Sequence, residues 1–163
     1  MQHLCEPSNP ALIFTRTTDT IITQKDIPFI CQQVVPITES RPSKQQFRKS
    51  DVFLEPFEPG ICIDDNLTKT HRLLFNKYPS RKRHVLVVTK EKEGQGELLN
   101  WRDFEAALIT MKALDGFVFY NSCKEAGASQ PHKHLQVIPV QSLPYSRIPI
   151  NDKVMDIIKQ MKS

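Results

Sequence analysis

The chain's clearest alternation of apolar and polar positions begins after residue 68. Thr70 to Asn76 reads as a strand, and His84-Val85-Leu86-Val87-Val88-Thr89 as a second one, apolar enough to be central in a sheet. Lys77 to Arg83 is a basic, proline-bearing connection, and Lys90 to Leu99 a charged loop containing glycine. Asn100 is placed to cap a helix, with Asp103 in its first turn. Trp101, Phe104, Leu108, Met111 and Leu114 recur at helical spacing and predict its buried stripe, and Gly116 ends it. Phe117 to Tyr120 is a short third strand. After a loop over residues 121–131, a fourth strand carries His132 and His134 and runs to about Val140. Prolines 139, 144 and 149 close it, and Asp152 is placed to cap a last helix bearing Val154, Ile157, Ile158 and Met161. The order strand, strand, helix, strand, strand, helix predicts an α+β domain with helices packed on an antiparallel sheet.

Residues 1–50 are less regular. Ala11 to Phe14 and Ile27 to Ile37 hold β-favouring residues interrupted by Pro28 and Pro36, and Ser40 to Ser50 is a polar, basic loop. Asp51 to Pro59 sets Phe53, Leu54 and Phe57 among acidic residues and prolines, which predicts an irregular but packed segment. A length of 163 residues suits a single domain over the whole chain, 1–163, with the leader 1–50 the least defined part. No internal repeat is present.

Chemistry concentrates in Gly127-Ala128-Ser129-Gln130-Pro131-His132-Lys133-His134-Leu135-Gln136. On a strand, residues two apart share a face, so His132, His134 and Gln136 form a polar row and Lys133, Leu135 and Val137 face the other way. A neutral imidazole at His134 can attack phosphorus and form a phosphoramidate. His132 can orient the nucleophile or stabilise charge, and Gln136 can donate to a phosphate oxygen. The N–H groups of Gly127 to Gln130 and the Ser129 hydroxyl can surround leaving phosphates. From the pattern alone a metal site also stands open, since two imidazoles in phase are good ligands and His84 or His71 could approach as a third. So does a purely structural role for the histidines.

Composition narrows these readings. The chain is 39% hydrophobic and 25% charged with net charge +4, ordinary for a globular protein and compatible with an anionic ligand. Basic residues form only small clusters, so no nucleic acid polymer is expected as a partner. No apolar run approaches a membrane span, and Met1 to Pro10 is polar, without the apolar stretch expected of a signal peptide. Cys5, Cys31, Cys62 and Cys123 are scattered without a Cys-x-x-Cys pair. These features predict a reduced protein of the cytoplasm, with the nucleus the other compartment open to it.

Tyr120-Asn121-Ser122, followed by Ala126 to Gln136, resembles the signature of the diadenosine tetraphosphate phosphorylases, also called ATP adenylyltransferases. These belong to the His-x-His-x-Gln transferase branch of the histidine-triad superfamily. Thr70-His71-Arg72-Leu73-Leu74-Phe75-Asn76-Lys77-Tyr78-Pro79 and His84 to Lys90 are similar to a second block of the family. The resemblance spans residues 68–140 and continues weakly but collinearly before them. It implies a histidine-triad-like antiparallel sheet and ping-pong nucleotidyl transfer. His134 would take AMP from the dinucleotide with release of ATP, and phosphate would carry the AMP away as ADP. Gln136 would hold a non-bridging oxygen, and Ser129 and Gln130 the departing phosphates. Asn121 would orient the loop or bind phosphate. Asn76 matches a ribose-contacting residue, although it also reads as a turn residue before Pro79. His84 matches an outlying histidine that supports the nucleophile, and otherwise reads as a strand-start residue. Magnesium would arrive with the nucleotide, and no metal ligand set is assigned to the protein. Glutamine at 136, where hydrolases carry histidine, favours transfer over hydrolysis.

Two features depart from the family pattern. Cys123 stands where the family carries glycine, which would strain the loop if φ were positive. Family members also continue into a C-terminal region absent from this chain, and its absence predicts an open site, an exposed apolar face, or a homodimer that covers it. The basic loop offers Arg41, Lys44 and Lys49 where relatives place a phosphate-binding lysine. The competing functions are a uridylyl-transferring homologue, a catalytically weak nucleotide-binding or sensing relative, and a metal-binding protein built on His132 and His134.

Overall fold

The computed structural model describes residues 9–14, 16–35, 51–146 and 148–162. Arg41, Lys44 and Lys49 lie outside them. A two-stranded hairpin, β1 (Thr17–Gln24) and β2 (Ile27–Val34), precedes the main sheet. Its turn residues Lys25 and Asp26 both sit at positive φ, 49° and 60°. The backbone twist of a two-residue hairpin loop favours that conformation, but Asn-Gly or Asp-Gly, the usual marker, is missing. The hairpin was therefore not apparent from the sequence.

The main sheet comprises β3 (Cys62–Asp64), β4 (His71–Phe75), β5 (Val85–Thr89), β6 (Gly116–Phe119) and β7 (His134–Pro139). Its spatial order is β3-β4-β5-β7-β6, and every neighbouring pair is antiparallel. Helix α1 (Trp101–Leu114) joins β5 to β6, and α2 (Asn151–Met161) follows β7 after two 3₁₀ turns. The α+β architecture expected from the alternation is present. β7 lies between β5 and β6, so the histidine strand has neighbours on both edges. Among the described residues no helix is long and apolar enough to cross a membrane.

Helix α1 starts as its sequence predicts. The Asn100 side chain accepts from the backbone of Arg102 and Asp103, and Asp103 reaches back to the Asn100 N–H at 2.7 Å, closing a capping box. Its packing differs from the expectation at three of the five stripe positions, while Met111 is half-buried and Leu114 packs partly buried against the core. The buried residues are Asp103, Ala106, Ala107 and Thr110, while Trp101, Phe104 and Leu108 are 67%, 54% and 56% exposed. The small buried side chains face the sheet, while Trp101, Phe104 and Leu108 lie on the exposed side. The helix end also differs from expectation. Asp115, not Gly116, takes the left-handed cap at φ 47°, and Gly116 opens β6. A Cβ on Gly116 would stand 2.7 Å from the Ile138 carbonyl oxygen, so glycine serves close strand approach there. In α2, Asp152 lies within the first turn, the N-cap is Ile150, and no residue is buried.

Lys133 decides how α1 sits. It is 1% exposed, and its ammonium meets Asp103 at 2.9 Å, Glu93 at 3.0 Å and the Leu98 carbonyl at 3.0 Å. Burial opposes the charge, but the bonds to Asp103 and Glu93 outweigh it and hold the lysine pKa above its ordinary value. Asp103 also bonds His71 Nε2 at 3.0 Å, which places His71 on the α1 face, away from the other histidines of the motif.

Removing Lys133 would leave Asp103 buried without its full complement of partners. Lys133→Met is expected to destabilise the fold by about 3 kcal/mol, the range for breaking a buried ion pair. Urea unfolding measures this, and a variant as stable as the parent would show that the pair does not hold the helix.

Candidate active site

Registered antiparallel partners place their side chains on one face. Val88 pairs with His134, while Leu86 and Phe119 both pair with Gln136. These five side chains share the face opposite α1. The irregular segment beginning at Asp51 lies over part of this face, with the Phe53 ring centroid 5.0 Å from that of His134 and 5.9 Å from that of His132. Phe53 is itself buried, as the sequence led us to expect of this packed segment.

His134 begins β7. Its Nδ1 lies 2.8 Å from the carbonyl oxygen of His132. A carbonyl only accepts, so Nδ1 carries the proton and Nε2 presents its lone pair. Burial holds the His134 pKa below its ordinary value, the bond to the His132 carbonyl works the other way, and the neighbouring His132 ring adds to the lowering. The ring is therefore neutral near pH 7, a state in which Nε2 could act chemically as a nucleophile.

His132 is wholly buried. Its Nδ1 meets Asp51 Oδ2 at 2.9 Å, and its Nε2 meets the Thr89 carbonyl oxygen at 2.9 Å and hydroxyl at 3.0 Å. The carbonyl of His132, rather than its imidazole, contacts the His134 ring. With both ring nitrogens bonded in this way, the His132–His134 pair is not arranged as two open metal ligands. Among the described residues no group of three or more His, Cys, Asp or Glu side chains is arranged to hold a metal ion.

Gln136 is half-buried, and its Oε1 accepts from His84 Nε2 at 3.0 Å. The assignment follows from the opposite side of the ring. Ser80 N–H donates to His84 Nδ1 at 3.3 Å, so the proton of the neutral ring is on Nε2. This fixes the orientation of the Gln136 carboxamide and leaves its NH₂ as the donor end. Asn76 lies beside His84, with its Nδ2 3.4 Å from both ring nitrogens, and its Oδ1 accepts from Tyr78 N–H at 3.0 Å. It is thus a turn residue and a neighbour of the histidine at once.

The loop before β7 carries Asn121, Gly127, Ala128, Ser129 and Gln130. Gly127 adopts φ 100°, which requires glycine, and the Asn121 side chain lies against it. The N–H groups of Gly127 and Ala128 bond the carbonyls of Lys124 and Cys123 within the turn. They are therefore engaged in holding the loop, contrary to the expectation that both face phosphate. Cys123 is absent from the residues at positive φ, so cysteine fits its place without the anticipated strain. A cleft of about 430 Å³ is lined in part by Phe29, Ile30, Phe117, Ile148 and Arg81, and none of the predicted site residues lines it.

Two supporting residues escaped the sequence reading. Asp51 anchors His132. Gln95, 5% exposed, accepts from His134 N–H at 2.8 Å and donates to the carbonyls of Asn121 at 2.6 Å and His134 at 3.1 Å. It ties the start of β7 to the start of the glycine loop. Only the bridge between Gly94 and His132, which sets the 93–97 segment beside the motif, brings Gln95 here, and no local pattern announces it.

Burial lowers the His84 pKa from 6.5 to about 4, with the Gln136 bond opposing and the His134 charge assisting. Between those values the unfolded chain takes up a proton that the folded chain refuses, so stability falls as pH falls. The window is worth roughly 3 kcal/mol, and His71 and His134 are shifted in the same direction. Urea midpoints from pH 7 to pH 4 should fall steeply, and His84→Gln should flatten that fall. An unchanged slope in the variant would remove His84 from the account.

Residues 6–156 match the family model of the Ap4A phosphorylase N-terminal domain. Protein APA1 of Saccharomyces cerevisiae is 32% identical over 142 residues, covering 80% of this chain and 44% of the relative. Diadenosine 5',5'''-P1,P4-tetraphosphate phosphorylase 2 of the same yeast is 32% identical over 120 residues, covering 65% and 37%. The crystal structure of yeast Ap4A phosphorylase Apa2 in complex with AMP superposes with a TM-score of 0.71 at 25% identity, over 90% of this chain and 49% of that one. The Apa2 complex with Ap4A gives 0.70 at 26% identity, over 91% and 51%. The chain thus spans less than half the length of the curated relatives it matches. It belongs, by family model, sequence and fold together, to the Ap4A phosphorylase family, over that family's N-terminal domain.

Proposed function

We propose that the chain is a nucleotidyltransferase domain that cleaves diadenosine tetraphosphate by phosphorolysis, with His134 as the nucleophile. The observation that carries this reading is the 2.8 Å bond from His134 Nδ1 to the His132 carbonyl, which leaves Nε2 unprotonated. Nε2 attacks the α-phosphorus and forms a P–N bond, the bond to the departing triphosphate oxygen breaks, and ATP leaves. The ring then carries positive charge, and its Nδ1–H bond to the carbonyl strengthens accordingly. An oxygen of inorganic phosphate next attacks the same phosphorus, the P–N bond breaks, and ADP leaves with the ring restored to neutral.

Gln136 offers its NH₂ to a non-bridging oxygen, in the orientation set by His84. Its amide neither accepts nor supplies a proton, so it stabilises the transferring group without activating water. Asn76 is a candidate contact for ribose, and Asn121, Ser129 and Gln130 for phosphate. Magnesium would enter with the polyphosphate, whose oxygens supply its ligands.

Incubation with diadenosine tetraphosphate in the absence of phosphate should add the mass of one adenylyl group to the intact protein, and phosphate should then discharge it as ADP. His134→Ala should form no adduct, while exposed Lys112→Ala should behave as the parent. Gln136→Ala should slow adduct formation roughly 10²-fold, the scale for losing one donor to a developing charge. An adduct persisting in His134→Ala would sink the assignment, and nucleotide binding without any adduct would favour a binding or sensing role.

A further inference from the structure

We propose that Asp51 is a positioning residue for the nucleophile, holding His134 in one tautomer through the His132 ring and the Phe53 turn. The proposal rests on the reading of His134 as nucleophile. Asp51 lies 81 residues before His132, and its carboxylate is buried against the motif. Each of its two oxygens has a separate task. Oδ2 accepts from His132 Nδ1 at 2.9 Å, and Oδ1 accepts from the Phe53 N–H at 3.0 Å.

Both bonds lead to His134. The His132 ring is gripped between Asp51 on one nitrogen and Thr89 on the other, which fixes the residue whose carbonyl receives His134 Nδ1. The Phe53 turn sets its ring edge-on to His134, with an interplanar angle of 61°. Loss of the carboxylate would loosen the carbonyl that selects the tautomer and the ring that limits imidazole rotation. Asp51 touches no reacting atom, so its effect travels entirely through these two neighbours. A purely structural role would cost stability and leave the tautomer of the folded protein unchanged.

Asparagine cannot substitute, because a carboxamide offers one oxygen and one NH₂ where two N–H donors converge. The test compares the full chain with Asp51→Ala and Asp51→Asn, each confirmed folded by circular dichroism. Long-range ¹⁵N NMR of the free proteins should show His134 as a single Nδ1–H tautomer in the parent and as a mixture in both variants. Adenylyl-adduct formation should fall about 10²-fold in Asp51→Ala, the scale for a small misplacement of a reacting group, while AMP affinity changes little. Should Asp51→Ala fail to fold, Asp51→Asn decides the matter by the same readouts. A folded variant that keeps the parental tautomer and rate overturns the proposal. If the parent forms no adduct, the proposed function fails, and the tautomer comparison still judges Asp51.

Discussion

Strand β7 lies between two neighbours, and together with the two residues just before it, His132 and Lys133, it carries polar groups toward both faces of the sheet. A polar group in that position must find partners, because an unsatisfied one costs more than its hydrogen bonds return. On the α1 face the demand is met by Asp103, Glu93 and the Leu98 carbonyl around Lys133. On the other face His132 is met by Asp51 and Thr89, and His134 by the His132 carbonyl, leaving Nε2 as the reactive end. The strand is thus fastened from both sides, and the position of the one nitrogen available for chemistry follows from that fastening.

The support is spread over segments that are distant in sequence. Asp51 comes from the irregular segment before β3, Thr89 from the end of β5, and Gln95 from the loop before α1. Ser80 and His84 orient Gln136 from the β4–β5 connection. Burial and neutral histidines go together here: desolvation lowers the pKa of His134 and of His84, so both rings are uncharged near pH 7. The same desolvation that keeps the His134 ring unprotonated makes the fold sensitive to acid.

Much of this was legible in the sequence, because it depends on local periodicity. The strands around His71, Val85, Phe117 and His134, the Asn100–Asp103 capping box, and the shared face of His134 and Gln136 all follow from spacing and residue type. The misreadings have tertiary causes. The bulky stripe Trp101, Phe104 and Leu108 looked like core, but the sheet selects the small face of Ala106, Ala107 and Thr110, with Asp103 drawn in by Lys133. Gly127 and Ala128 looked like phosphate donors, but the loop's own turn claims their N–H groups. Asp51 and Gln95 act across 81 and 39 residues, and no pattern along the chain relates them to the histidines. The family resemblance singled out the candidate site residues, while the groups that hold them in place required the fold.

The central claim is that Nε2 of His134 forms the bond to phosphorus while Nδ1 stays protonated against the His132 carbonyl. Correlation of ³¹P with ¹⁵N in histidine-labelled, adenylylated protein observes that bond directly. The account predicts a single phosphoramidate signal coupled to Nε2 of His134. Coupling to Nδ1, to another histidine, or a phosphorus bonded only to oxygen would contradict it.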